Sequence, residues 1–497
     1  MAKGFILAID QGTTNTKALL VDATGEPVFR VSAPVSLIHS KQGFVEQDPM
    51  LLWNSVVRAT AECVAHAGAA GVAIEAIAIS NQRETAVAWD ASTGMPIANA
   101  VSWQCGRAAG ICDRLAPCAT EFRNRTGLPL APLVSAGKWG WLLENDATVQ
   151  ALAREERLRF GTVDSWLVHQ LTEGAAHVTD LSNASRTGLL NLGTLNWDSG
   201  LLEAFRIPAS AMSVLKPSAG LFGECTAIPD LTGVPVLAAI GDSHAAMFGH
   251  GRYGCGTVKA TYGTGSSLMA LTAALPEDTP ILARTVAWSI DGAVQYALEG
   301  NIPMTGSGVQ WVGKFLDLAN PAADTARLAE TVESAAGVYF VPAMVGLGAP
   351  YWDAQARGTI TGLGHAHTSA HLARAAVDAI AYQVADVFFA MEHAMGSRLA
   401  NLHADGGATR NRTLMQFQAD ILGRTVLRSR NEELSAIGAA RLAGLALGWW
   451  SGLAEMESLA KCEDSFSPSI NDGERETLGR GWKDAIRRTR LVPEANR

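Results

Sequence analysis

Two stretches of the same shape lie about 250 residues apart in this chain. The first is Phe5-Ile-Leu-Ala-Ile-Asp-Gln-Gly-Thr-Thr-Asn-Thr-Lys-Ala-Leu-Leu-Val-Asp22, the second Lys259-Ala-Thr-Tyr-Gly-Thr-Gly-Ser-Ser-Leu268. Each reads as strand, glycine/threonine turn, strand. In the first, Gly12 is free to take positive φ. At 497 residues the chain is too long for one hydrophobic core. The repeated opening therefore predicts two lobes, residues 1–250 and 251–497, each starting on such a hairpin. Two facing turns of this kind can hold a polyphosphate between them.

The first turn sets the chemistry. Turn N–H groups beside the Thr13 and Thr14 hydroxyls form an anion cradle. Asp10 stands next to it, and a carboxylate repels a phosphate unless a cation lies between. The stretch therefore predicts a Mg-nucleotide site. The competing reading is a plain hairpin whose threonines satisfy their own turn. A net charge of −9 leaves no basic footprint, which argues against nucleic acid as the partner. No secretory signal is visible, and the longest uncharged run, 334–352, is broken by Gly and Pro, so no membrane span is expected. The seven cysteines are scattered without a CxxC pair, which suits a reduced, cytoplasmic protein without structural zinc.

Along the chain, Pro27–Val31 adds a third strand to the opening hairpin, and Pro49–Ala67 has helical periodicity closed by Gly71. Ile74–Ile79 reads as a buried strand running into Ser80-Asn-Gln-Arg-Glu-Thr85 and back through Ala86–Trp89 as a hairpin. Taken alone, Arg83 and Glu84 read as a solvated turn and Trp103 as core. Leu133–Asn145 has helical spacing. Val236–Ile240 is a buried strand that leads into Asp242, at the mouth of a helix, where α/β sheets place ligands. A plain helix N-cap is the other reading of Asp242.

Gly249–Gly256 is the best interdomain linker. Its formal GxGxxG, Gly249 to Gly254, lacks the strand and helix of a dinucleotide fingerprint. Gly308 to Phe315 is a near-miss to a P-loop, with Phe315 where a metal-binding hydroxyl must be. Asp291-Gly292 joins two strands with a type I′ signature. Ala404-Asp-Gly-Gly-Ala-Thr-Arg-Asn411 is a third Gly-rich turn, followed by a helix over 412–422 whose N-terminus suits an anion or nucleotide edge. Further helices are expected over 435–450 and 474–490. His367 and His371 have chelating spacing only if they share a helix face, and they read as surface polar residues.

With these turns, Asn81-Gln-Arg-Glu84, Trp103-Gln104 and Gly241-Asp242 assembled, the sequence resembles the FGGY family of carbohydrate kinases from Ile6 to about Lys483. One family signature runs through Ser135, Lys138, Trp139, Trp141, Leu142, Glu144 and Asn145. The other is Gly358-Thr-Ile-Thr-Gly-Leu363, followed by His371-Leu372 and Ala375-Ala-Val-Asp378. The resemblance implies an α/β fold of two actin-like, RNase H-like lobes around an interdomain nucleotide cleft. It implies ATP and Mg²⁺, with Asp10 holding the metal through water. Thr13, Thr14, Asn15 and Lys17 would line the first phosphate hairpin and Thr264 the second. Gly306, Gln310, Gly407 and Asn411 would cradle the rest of the nucleotide. Arg83, Glu84 and Trp103 would grip a polyol, and Asp242 would be the catalytic base. A homo-oligomer, a dimer, is expected.

Three positions depart from family members that act on glycerol. Those carry Tyr where Leu133 stands, Gln-Gln where Ser243-His244 stands, and Phe where Ser267 stands. Smaller side chains open room for one or two more carbons, and each lost hydrogen bond weakens glycerol by about 1 kcal/mol. The expected activity is therefore ATP-dependent phosphorylation of a terminal hydroxyl on a substrate larger than glycerol, such as a tetritol, pentitol or small ketose. Phosphorylation of glycerol itself is the alternative. From another class, a non-catalytic actin-like ATP-binding sensor would keep the phosphate turns but need no Arg83, Glu84, Trp103 and Asp242.

Overall fold

The computed structural model describes residues 4–490 apart from 278 and 461, with the side chains of 462 and 463 also outside the description. The opening stretch forms β1 (Phe5–Gln11) and β2 (Asn15–Val21), antiparallel with Asp10 opposite Lys17. β3 (Pro27–Pro34) completes a meander. Helix α1 (Pro49–Ala70) starts on Asp48, whose carboxylate accepts from the Met50 N–H, and stops at Gly71 with φ of 67°. That stop is a left-handed cap that glycine takes without steric cost. β4 (Ile74–Asn81), β5 (Ala219–Glu224) and β6 (Pro235–Gly241) finish a six-stranded sheet in the order β5-β6-β4-β1-β2-β3. β4 is parallel to both β1 and β6, so the carboxyl ends of β1, β4 and β6 lie side by side. Those ends carry Asp10, Asn81 and Gly241.

The second lobe repeats the plan. β7 (Val258–Tyr262) and β8 (Ser266–Thr272) form the second hairpin. β9 (Ala283–Ile290) and β10 (Ala293–Ile302) turn through Asp291 and Gly292, both at positive φ as the type I′ signature requires. With β11 (Asn401–Asp405), β12 (Thr425–Ser429) and β13 (Cys462–Phe466) they make a seven-stranded sheet in the order β9-β10-β8-β7-β11-β12-β13. Two α/β lobes, each a meander flanked by parallel strands, are the expected arrangement.

Helices place the site. α2 (Ser135–Asn145) lies in the first lobe, and α3 (Asp242–Gly249) follows β6 directly. α4 (Gly306–Phe315) follows β10. The second lobe also holds α5 (Ser369–Met395), α6 (Arg412–Leu422) and α7 (Leu434–Ala446). α7 crosses back to pack on α3 and on β1, β4 and β6. The contact is backbone to backbone. A Cβ on Gly438 would stand 1.9 Å from the Ala245 carbonyl oxygen, and one on Gly249 would stand 2.4 Å from that of Leu434. One apolar cluster, including Ile6, Ala78, Met247, Met269, Trp288 and Ile437, joins both sheets and both helices.

Several local expectations are corrected. Gly12 is not among the glycines at positive φ; its N–H donates to the Asn15 carbonyl at 2.9 Å, and a Cβ there would press on that oxygen at 3.2 Å. The turn therefore needs glycine for space. Val87–Asp90 does not fold back on β4 as a hairpin. It pairs with Leu158–Gly161 in a separate small sheet. The helix expected over 435–450 ends at Ala446, because Gly448 takes positive φ. His371 Nδ1 caps the first turn of α5 through Thr368, while His367 Nδ1 bonds Gly364. Both rings serve local backbone, and the described residues contain no group of three or more metal-type ligands.

Candidate active site

Asp242 is the first residue of α3, after a Gly241 cap that supplies no side chain. It is not the helix N-cap. Its Oδ1 accepts from the Ser243 N–H at 2.6 Å and lies 3.3 Å from Arg83 Nε. The carboxylate remains partly open, with 40% of the side chain exposed. Burial raises the Asp242 pKa, and Arg83 pulls it back. A base poised nearer neutrality than a surface aspartate is what proton abstraction from an alcohol needs.

Arg83 is held by more than Asp242. Its Nη2 lies 2.8 Å from Glu299 Oε1 on β10, and Glu299 is fully buried. Arg186 Nη1 approaches the other Glu299 oxygen at 2.9 Å, and Arg186 Nε donates to Glu84 Oε1 at 2.7 Å. Asp242, Arg83, Glu299, Arg186 and Glu84 thus form one charge-alternating chain across the two lobes. The flanking arginines hold the Glu299 pKa far below the usual carboxylate range. Arg83 Nη1 is buried without a hydrogen-bond partner among the described residues. Gly241 makes room for this arginine, since a Cβ there would meet Arg83 Cδ at 2.7 Å.

Glu84 shows how the chain meets both sides of one site. Neighbours in a strand point to opposite faces, but Glu84 takes φ of 58°, a left-handed turn that costs energy and clusters at functional sites. The turn is clamped from α2. Ser135 Oγ donates to the Glu84 carbonyl at 3.1 Å and Lys138 Nζ at 3.2 Å. Lys138 Nζ also donates to the Leu133 carbonyl, which ties Leu133 to the same wall. Burial drives the Lys138 pKa down to about 7. The reading of Arg83 and Glu84 as a solvated turn is therefore overturned: Glu84 is 5% exposed. So is the reading of Trp103 as core. It is 37% exposed, and its indole N–H donates to Thr13 Oγ1 at 2.9 Å. That bond couples the expected polyol wall to the first phosphate turn.

Two of the departures, Ser243 and Ser267, meet one another. Ser243 Oγ lies 3.0 Å from Ser267 Oγ, and Lys259 Nζ donates to Ser243 Oγ at 2.7 Å. Ser267 Oγ donates to Glu299 at 3.3 Å. His244 points elsewhere: it is fully buried, its Nε2 pairs with Thr285 Oγ1 at 3.0 Å, and burial keeps it neutral.

Asp10 accepts from Ser80 Oγ at 2.8 Å. Burial, then repulsion from Asp242, raises its pKa to about 7. Two carboxylates crowded in this way are relieved by a cation, so the donor set fits Mg²⁺ held by Asp10 through water. Lys17 stands opposite Asp10. Its ammonium pairs with Glu433 at 2.5 Å across the lobes. Thr14 and Asn15 are exposed at the turn.

The remaining nucleotide candidates interlock through glycines. The Gly306 N–H donates to the Gly263 carbonyl at 3.1 Å, and those of Thr305 and Ser307 donate to the Thr264 carbonyl. A Cβ on Gly406 would stand 2.5 Å from the Tyr262 carbonyl. The second hairpin, the start of α4 and the third Gly-rich turn thus form one surface carrying Thr264, Gly306 and Gly407. Gln310 is exposed on α4, and Asn411 Oδ1 caps α6 by accepting from the Leu414 N–H at 2.9 Å. No described bond joins Gln310, Gly407 or Asn411 to the charge chain. Glu299, Arg186 and Lys259 were not read from the sequence. A single carboxylate inside the strand Ala293–Ile302, directly after Ala297-Leu298, is the signal that points to Glu299.

A cleft between two such lobes, with an aspartate at a helix start and two glycine/threonine turns, is the architecture of a phosphotransferase. The family model for the N-terminal domain of the FGGY family of carbohydrate kinases matches residues 5–249, and that for the C-terminal domain matches residues 258–447. This chain belongs to the FGGY family of carbohydrate kinases. It is 44% identical over 498 residues to a glycerol kinase of Paraburkholderia phymatum, covering 100% of both chains. It is also 44% identical over 494 residues to a glycerol kinase of Symbiobacterium thermophilum, covering 99% of each. A crystal structure of Plasmodium falciparum glycerol kinase with ADP superposes with a TM-score of 0.94 at 31% identity, over 99% of each chain. Among the described residues no helix is long and apolar enough to cross a membrane.

Proposed function

We propose that this chain transfers the γ-phosphoryl group of ATP to a terminal hydroxyl of a small polyol or ketose with more carbons than glycerol. Lobe 1–250 binds the polyol and lobe 251–497 the nucleotide. Asp242 accepts the hydroxyl proton as the new O–P bond forms and the bond from phosphorus to the leaving ADP oxygen breaks. Arg83, held between Asp242 and Glu299, orients the hydroxyls. Glu84 and Trp103 wall the same pocket. Thr13, Thr14, Asn15, Thr264, Gly306, Gln310, Gly407 and Asn411 hold the nucleotide. Mg²⁺, when bound near Asp10, neutralises phosphate charge. Closure of the lobes keeps water from competing for the phosphoryl group.

The observation that carries the substrate size is the contact between Ser243 and Ser267. Two small hydroxyl side chains, backed by the Lys259 ammonium, stand where the family resemblance implies Gln and Phe in members that act on glycerol. A coupled ADP-release assay over glycerol, tetritols, pentitols and three- to five-carbon ketoses tests it. The proposal expects kcat/KM for at least one four- or five-carbon compound to exceed that for glycerol tenfold; glycerol as the best substrate overturns it. The second reading, phosphorylation of glycerol to glycerol 3-phosphate, is supported by the full-length likeness to chains named glycerol kinase. A non-catalytic sensor is disfavoured, because it has no use for the chain from Asp242 to Glu84.

A further inference from the structure

Behind the carboxyl ends of β4 and β6 lies a carboxylate that no step of the reaction uses. Asp180 is fully buried and caps a short helical turn, Leu181–Ala184. Five donors converge on it. Its Oδ1 accepts from Ser182 Oγ at 2.9 Å, from the Asn183 N–H at 2.8 Å and from Asn183 Nδ2 at 2.9 Å. Its Oδ2 accepts from the Ser182 N–H at 2.9 Å and from Ser218 Oγ at 2.7 Å. A buried charge is costly to keep, and burial raises the Asp180 pKa while these bonds pull it back. The one other charge beside it is Asp164, also fully buried, which accepts from the Thr162 and Thr179 hydroxyls and from the Asp180 N–H.

The direction of one bond matters. A serine hydroxyl has a single proton. Ser182 Oγ gives that proton to Asp180, so toward its next neighbour it can only accept. That neighbour is the Gly241 N–H, at 3.0 Å. Gly241 is the residue before Asp242, and Arg83 packs on it so closely that a Cβ there would meet Arg83 Cδ at 2.7 Å. Asn183 extends the same hold to β4, because its side chain and that of Asn81 exchange two hydrogen bonds, both at 3.0 Å. Through Ser182 and Asn183, Asp180 thus reaches the ends of the strands that lead into Asp242 and Arg83.

We infer, on the reading of Asp242 as the base, that Asp180 and Ser182 are positioning residues for phosphoryl transfer. The Asp180 carboxylate fixes the Ser182 hydroxyl as an acceptor, and that hydroxyl fixes the Gly241 amide from which Asp242 enters the cleft. Both residues are fully buried, so neither meets substrate. Misplacing a reacting group by about 1 Å costs on the order of a hundredfold in rate, so loss of this anchor is read in kcat and not in KM.

The test compares two serines on the same carboxylate. S182A removes the acceptor for Gly241. S218A takes a donor from Asp180 and leaves Gly241 alone. It also strips the Ser289 N–H of its acceptor, so a loss of kcat caused by stability alone would appear in S218A too. The full-length variants are assayed for ATP-dependent phosphorylation of glycerol, which both substrate readings allow. Turnover is counted per ADP-binding site from calorimetry, so that misfolded protein does not pass for lost catalysis. We expect kcat to fall at least tenfold in S182A and in D180N, with KM for glycerol and ATP within threefold, and to stay within threefold in S218A. S182A or D180N within threefold of wild type, or S182A and S218A losing kcat alike, overturns the inference. D242N in the same assay keeps the two readings apart. Turnover near the wild-type rate in D242N unseats the base, whereas an inactive D242N beside a fully active S182A unseats only the positioning role.

Discussion

Ser243 Oγ and Ser267 Oγ stand 3.0 Å apart, one at the start of the helix that carries Asp242 and the other on the second hairpin of the opposite lobe. Under the proposed function this contact is part of the substrate wall, made by both halves of the chain from side chains that fill little space. Restoring bulk at one of them should be felt as selectivity. S267F should lower kcat/KM for four- and five-carbon substrates at least tenfold while leaving glycerol within threefold, in the same ADP-release assay. Equal loss for all substrates would place Ser267 outside the pocket.

Asp242→Asn keeps shape but cannot take a proton. We expect kcat to fall at least a thousandfold, the upper range for general-base loss, with ADP affinity within twofold by calorimetry. Residual turnover near the wild-type rate would assign the base elsewhere.

Asp10→Ala removes the carboxylate assigned to the metal. The Mg²⁺ concentration for half-maximal rate should rise at least tenfold, read from a magnesium titration at fixed ATP. An unmoved midpoint would separate Asp10 from the metal.

Arg186 is 2% exposed and stands between two carboxylates. R186M leaves Glu84 and Glu299 short of a buried partner, a loss of about 3–5 kcal/mol. Urea unfolding should show it as a lowered midpoint at unchanged slope.

Lys138 has a folded-state pKa of about 7 against 10.5 in a model chain. Between those values the unfolded chain holds a proton that the folded one does not, so stability from this residue rises with pH across that window. The unfolding free energy of wild type minus K138M should therefore shift toward wild type by about 1 kcal/mol per pH unit from 7 to 10. A flat difference would mean that the amine is charged in the fold.

The hairpins, the strand into Asp242 and the I′ turn were legible because each is written in local pattern: apolar alternation broken by Gly, Thr or Asp. Taken alone, Arg83 and Glu84 read as a solvated turn, and only the family resemblance puts them at a polyol, since their burial is decided by Arg186 and Glu299, about 100 and 215 residues further on. Trp103 taken alone reads as core for the same reason, as its partner Thr13 lies 90 residues earlier. Lys17 meets Glu433 416 residues further on, which no local pattern shows. Positive φ at Gly12 was inferred from residue type, whereas the tight N–H contact to Asn15 meets the turn's need without it.

The bare-backbone seam between α3 and α7 bears on how such a cleft can open. With Gly438 against Ala245 and Gly249 against Leu434, neither helix can slide without collision. Any opening of the cleft must leave this seam in register, since one helix comes from each half. Asp242, the first residue of α3, is anchored to the second half by the same seam.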